Sequence, residues 1–197
     1  MRHRRGITLI EILIVVTLLG IAGALVIPSM AQVGVLRIQS ALRTVVSDLT
    51  YAQSDAMAAQ SRRAVIFGVV LVQDPNTLVW NPSPTNQEGY TVFAPPPGAA
   101  AIDINLDWLP DPENPGRPFT RDLTGPNFGG ATIQSADFNG NPILYFDELG
   151  GPVQNLTDDD PGAGGRVRLV SPEFTYDINV EPYTGRITVV RVAVAGP

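Results

Sequence analysis

One carboxylate, Glu11, stands inside an apolar run of 21 residues (7–27) that carries no other charge. A carboxylate at a bilayer centre costs about 2.5–3.5 kcal/mol on insertion scales, so such groups usually have a partner. Two readings fit Glu11. In the first it lies in the opening turn of a helix, near the interface, where water and the positive helix end tolerate it. In the second it meets a cation. Scission of the chain after Gly6 would create one, the α-amino group of Ile7, four residues from Glu11. Within one helix that amine reaches its own carboxylate only by local bending. Between staggered helices it can meet a neighbour's Glu11, which removes two charges from lipid at once and sets an axial offset.

Few other residues offer chemistry. The single histidine is His3, in a basic leader, and there is no cysteine. A histidine-based triad or general base is therefore excluded downstream, and a zinc site would have to be all-carboxylate. No glycine-rich phosphate loop follows a strand and opens a helix, because Gly162-Ala-Gly-Gly165 precedes a strand-like run instead. No catalytic residue and no cofactor is expected. Two acidic stretches have oxygen donors of the kind calcium takes. Asp158, Asp159 and Asp160, followed by Pro161 and glycines, form an oxygen-rich loop, for which a solvated loop is the preferred reading. Asp103-x-Asn105-x-Asp107 has the opening spacing of a calcium loop, but Trp108 stands where such a loop needs glycine. The solvated face of a strand explains it better.

The net charge is −6, with every basic residue an arginine. Without residues 1–6 the chain keeps ten arginines against nineteen acidic residues, a balance of −9. That field argues against nucleic acid as a partner and against a polybasic grip on anionic lipid. Attachment to a membrane must come from the apolar run, whose 21 residues span roughly 31 Å as a helix, close to the ~30 Å hydrocarbon core. Arg2, Arg4 and Arg5 before it place the N-terminus on the cytoplasmic side and the rest of the chain across the membrane. A cleaved secretory signal with Ser29-Met30-Ala31 as its site is the competing reading, but the run is long for it and carries a carboxylate.

The elements that position these residues follow from periodicity. Val35, Ile38, Leu42, Val45, Leu49, Ala52, Ala56 and Ala59 recur at spacings of three and four, an apolar helical stripe with Arg43, Ser47, Asp48 and Asp55 on the other faces. The apolar run thus continues into an amphipathic helix ending near Gln60, with a kink expected at Pro28. From Arg63 the pattern becomes strand-like, over 64–72, 78–80, 90–93, 131–135, 143–146, 166–170, 175–180 and 186–192. Residues 94–130, rich in proline and glycine, read as a surface insertion holding one half-buried strand at 102–108. The expected fold class is α+β, one long helix packed on an antiparallel β domain. Its divisions are a leader (1–6), a transmembrane half-helix (7–27), an amphipathic half-helix (28–60) and a β-rich domain (61–197).

The sequence Arg5-Gly6-Ile7-Thr8-Leu9-Ile10-Glu11, followed by the apolar run and Pro28, resembles the prepilin (class III) signal of type IV pilins and type II secretion pseudopilins. In that family a prepilin peptidase cuts after the glycine and methylates the new amine. The resemblance implies cleavage between Gly6 and Ile7, N-methylation of Ile7 and an assembly role for Glu11. The chain departs from the family in having Ile7 where phenylalanine is usual. Looser patterns resemble the GspH/FimT branch of minor pseudopilins and minor pilins: 48–56 on the helix, 63–67, Trp80 and 89–93, then 145–150 and 181–189. They imply a pilin-like fold and a non-catalytic protein of the bacterial inner membrane. Its domain would be periplasmic and its partners other pilins or pseudopilins in a filament. The favoured expectation is a type II secretion minor pseudopilin. The alternatives are a type IV pilus minor pilin and a tethered periplasmic binding domain that never polymerises. DNA uptake would call for exposed arginines on the β domain; Arg186 and Arg191 are there, but the −9 balance argues against it.

Overall fold

The computed structural model describes residues 8–192 except 126, 129 and 173, and leaves aside the side chains of 24–35. The leader with Gly6 and Ile7 therefore lies outside the described residues, as does the side chain of Pro28, where the kink was expected. The chain is α+β. Among the described residues a single helix, α1 (Leu9–Ala59), runs over 51 residues and is followed by thirteen strands. Gln60 ends it in the left-handed region (φ 47°), and its N–H returns to the Met57 carbonyl.

Beyond the helix, β1 (Arg63–Phe67) lies at the centre of a five-stranded sheet. Its antiparallel neighbours are β4 (Gly89–Phe93) and β9 (Ile143–Phe146), and the edges are β7 (Thr120–Asp122) and β10 (Pro152–Val153). A second sheet has the order β13 (Ile187–Val192), β12 (Thr175–Val180), β11 (Gly165–Val170), β8 (Thr132–Phe138). Two short ribbons complete the fold, β2 (Leu71–Gln73) with β3 (Trp80–Pro82), and β5 (Pro110–Asp111) with β6 (Asn114–Pro118).

Every residue of β1 and β4 is buried, which explains why their sequences are apolar runs rather than alternations. Val65, Phe67, Tyr90, Val92 and Leu144 face the helix stripe Leu42, Val45, Leu49, Ala52 and Ala56 in the main core. The opposite face, Ala64, Ile66 and Phe93, is roofed by Leu71, Trp80, Ile102, Ile104 and Trp108. The stripe read from the sequence is thus the buried one from Ile38 to Ala56. Ala59 is exposed, because the helix has run past the sheet by then. Val35 lies outside the described side chains.

Four expectations need correction. The strand expected over 64–72 is two strands, broken at Gly68 (φ 80°), where the chain folds back so that β2 starts the roof. The half-buried strand expected at 102–108 is a turn. Asp103 accepts the Asn105 N–H at 2.9 Å, and its own N–H donates to Asp107 at 2.7 Å. Ile102, Ile104 and Trp108 still pack inward, but Leu106, expected on the same face, is 76% exposed, so the period held for three of its four apolar positions and not for the backbone. Residues 94–130 are not a surface excursion: Phe119 and Leu123 are fully buried in the main core, and β7 is an edge of the main sheet. The expected strand 78–80 is shifted to 80–82. The strands at 143–146 and 175–180 fall where they were expected.

The β4–β7 approach rests on Gly89, where a Cβ would overlap the carbonyl oxygen of Arg121 and press on Val70. Gly89→Ala should therefore destabilise the domain by about 1–3 kcal/mol, read as a lower urea midpoint. On the second sheet Arg168 grips Asp177 with two hydrogen bonds of 2.7 Å across β11–β12, holding the carboxyl below its ordinary 3.8. A depressed carboxylate contributes stability that is present above its unfolded value and lost as pH falls through the folded one. Melting temperature should thus drop as pH falls below 3.8, and Asp177→Asn should flatten that acid limb.

Candidate functional site: the N-terminal helix and its anchorage

Helix α1 has two halves that differ in what surrounds them. From Leu9 to Ile21 its large apolar side chains are exposed on every face, from 50% at Val15 to 83% at Leu9. The one polar side chain there apart from Glu11, Thr17, turns its hydroxyl onto the Leu13 carbonyl at 2.7 Å. No stretch of the described helix residues is long and apolar enough to cross a membrane. The expected span, 7–27, extends at both ends beyond the side chains described.

Glu11 is exposed at the third position of the helix, with Thr8 as its N-cap. Its Oε2 lies 3.5 Å from the Thr8 N–H, the reach-back half of a capping box. Thr8-x-x-Glu11 was legible in the sequence as that box, a signal the reading of Glu11 as an isolated carboxylate overlooked. An acid here also faces the positive end of the helix dipole. The geometry therefore accounts for Glu11 within one chain, and among the described residues its other carboxylate oxygen has no hydrogen bond.

The other half of α1 is bound into the domain by polar contacts. Asp48, placed by the sequence among the solvated faces, is buried. Its Oδ2 accepts the Tyr90 hydroxyl at 2.7 Å and Arg121 Nε at 2.8 Å. Arg121 also donates through Nη1 to Asp111 at 2.8 Å and lies 4.6 Å over the Phe119 ring. Burial raises the Asp48 carboxyl above its ordinary range despite the hydrogen bonds from Tyr90 and Arg121. Burial also raises the Tyr90 phenol. For Arg121 burial opposes the charge, but the two aspartates outweigh it and the guanidinium is held more firmly protonated. Four residues from α1, β4, β5 and β7 thus form one network, which no local sequence pattern announces. Nearer the helix end, Gln53 Nε2 donates to the Gly150 carbonyl at 2.7 Å and the Thr184 carbonyl at 3.1 Å.

The acidic loop is held by an arginine. Arg62 Nη1 donates to the carbonyls of Asn155 (3.2 Å) and Asp158 (2.9 Å), and Nη2 pairs with the Asp159 carboxylate. The Asp158 carboxylate instead accepts the Asp160 N–H at 3.0 Å. Asp158, Asp159 and Asp160 do not converge, and among the described residues no three acidic or histidine groups could hold a metal ion.

Residues 1–27 match the prokaryotic N-terminal methylation motif, the class III signal of prepilin-type proteins. That signal implies processing by a prepilin peptidase and pilin-like assembly. No curated protein and no solved structure matches the chain.

Removing Arg121 would leave two carboxylates without their shared cation. Arg121→Ala should cost about 3–5 kcal/mol in urea unfolding. Arg117→Ala on the same segment, whose side chain has no ion pair among the described residues, should change it by less than about 0.5 kcal/mol.

Proposed function

We propose that this protein is a minor pseudopilin of a type II secretion system. On this reading it is held in the bacterial inner membrane by the first half of α1, with the β domain in the periplasm. A prepilin peptidase removes the leader between Gly6 and Ile7 and methylates the Ile7 amine. The subunit then joins a short periplasmic filament through α1 and works by assembly, not catalysis.

The observation that carries this reading is the methylation motif opening a helix that is apolar on all sides for its described first half and anchored in a folded domain for its second. A bare apolar helix is stable only in lipid or against other apolar helices, and a filament subunit needs both surroundings in turn. Glu11 suits that passage. Its open oxygen is placed to receive a neighbour's Ile7 amine, and the Thr8 contact keeps it tolerable until then. A type IV pilus minor pilin is the second reading, favoured by the same motif. The −9 balance of the chain without its leader speaks for a protein partner over DNA in either case.

Mass spectrometry of the protein recovered from membranes should give a mature N-terminus at Ile7, one methyl group heavier than the encoded residue. A retained leader, or a start at Gln32, would sink the proposal. Glu11→Ala should be processed and inserted normally yet lose co-assembly with neighbouring subunits in a cross-linking assay. Unchanged cross-linking would instead mark a tethered domain that does not polymerise.

A further inference from the structure

The roof of the main sheet contains a cavity of about 440 Å³, within the ordinary size of a small-ligand site. One side is formed by the β2–β3 ribbon, through Leu71 and Trp80, and the other by the β5–β6 ribbon, through Glu113, Asn114 and Arg117. Both ribbons are fixed to the core. The Leu71 N–H donates to the Thr120 hydroxyl at 3.1 Å, which in turn lies 2.8 Å from the Thr91 hydroxyl. Asp111, at the base of the β5–β6 ribbon, is held by Arg121 and caps the Glu113 N–H at 2.9 Å.

Arg117 and Trp80 differ from the other arginines and the other tryptophan of the β domain. Arg62, Arg63, Arg121, Arg166, Arg168 and Arg186 each make an ion pair. Arg191 lies 4.6 Å over the Phe174 ring. Among the described residues Arg117, like Arg37 and Arg43 on α1, has neither kind of partner, although Glu113 lines the same cavity. Trp80 Nε1 is likewise without a hydrogen bond among the described residues, whereas Trp108 Nε1 donates to the Asn105 carbonyl at 3.2 Å. An indole, a carboxylate, an amide and a guanidinium are thus free on facing walls.

We propose that this cavity is a saccharide-binding site, taking a neutral pyranose against Trp80 with its hydroxyls on Glu113, Asn114 and Arg117. The charges narrow the class. Asp111 shares Arg121 with Asp48, and Glu113 lines the cavity beside Arg117, so the walls disfavour an anion, and the uncharged hydrogen-bonding groups of the ligand decide the rest. Each sugar hydroxyl both donates and accepts. A row of them serves a carboxylate that only accepts, a guanidinium that only donates and an amide that does both. The apolar C–H face of the ring meets the indole, which presents an apolar body and one donor. The site is independent of how α1 is processed or assembled.

The test uses the full chain in lipid nanodiscs, which avoids detergents with sugar head groups. Chitotriose, maltotriose and trigalacturonate are titrated by calorimetry, with leucine and phenylalanine as zwitterionic controls. A neutral trisaccharide should bind with a dissociation constant of about 0.1–1 mM. Glu113→Gln and Arg117→Ala, both on exposed side chains, should each weaken it about tenfold, as should Trp80→Ala if that variant keeps its melting temperature. Trp108→Phe should leave it unchanged. The proposal is overturned if no trisaccharide binds by about 10 mM, if only trigalacturonate or the amino acids bind, or if Glu113→Gln and Arg117→Ala bind as the parent does.

Discussion

Arg121 is the point on which the domain turns. It comes from the proline-rich segment after the first ribbon, reaches the helix at Asp48, and holds Asp111 on its other side. Desolvating three charges is expensive, and the Coulombic gain repays it only when geometry and hydrogen bonding are complete. Here they are: Tyr90 supplies the remaining donor to Asp48, Phe119 stacks beneath the guanidinium, and no buried side-chain polar atom among the described residues is left without a partner. An apolar patch would have tolerated several registers between helix, sheet and insertion. A bidentate cation between two fixed carboxylates tolerates one, which is how so irregular a segment is made part of the main sheet.

The helix separates two kinds of work along its length. Its second half is committed to the domain by a stripe of aliphatic side chains, by Asp48 and by Gln53. Among the described residues, its first half gives nothing to the domain and hides nothing from its surroundings. Thr17 bonds back to its own helix, and Glu11 is drawn to the cap, so the described surface from Ile12 onward offers only hydrocarbon. Such a surface exchanges lipid for another helix at little cost, since both are equally apolar.

How far the sequence could be read depended on the range of the interactions involved. The methylation motif, the α+β order and the helical stripe are local patterns, and each was legible. So were the strands at 143–146, a short apolar and aromatic run, and at 175–180, where alternation is clean. What escaped was decided by contacts distant in sequence. Asp48 looks like any polar residue on an amphipathic helix until Arg121, 73 positions on, arrives beside it. Residues 94–130 looked like surface because proline and glycine break periodicity, yet Phe119 and Leu123 fill the core from within that composition. At 102–108 the alternation placed Ile102, Ile104 and Trp108 inward but failed at Leu106, because the aspartates at 103 and 107 bent the backbone into a turn by capping its N–H groups. Side-chain burial and strand geometry are separable, and the period encoded only part of the first.

Only three residues, Gln60 to Arg62, separate the end of α1 from β1, and the helix is tied again to the sheet at Asp48 and Gln53. That leaves no swivel. The azimuth of the domain about the helix axis is set once the helix is set, so rotating α1 by one residue turns the whole β domain by about 100°. In an array of such helices, the direction in which each domain's outer face looks becomes a property of helix register, and a contact near residue 11 aims a surface tens of ångströms away.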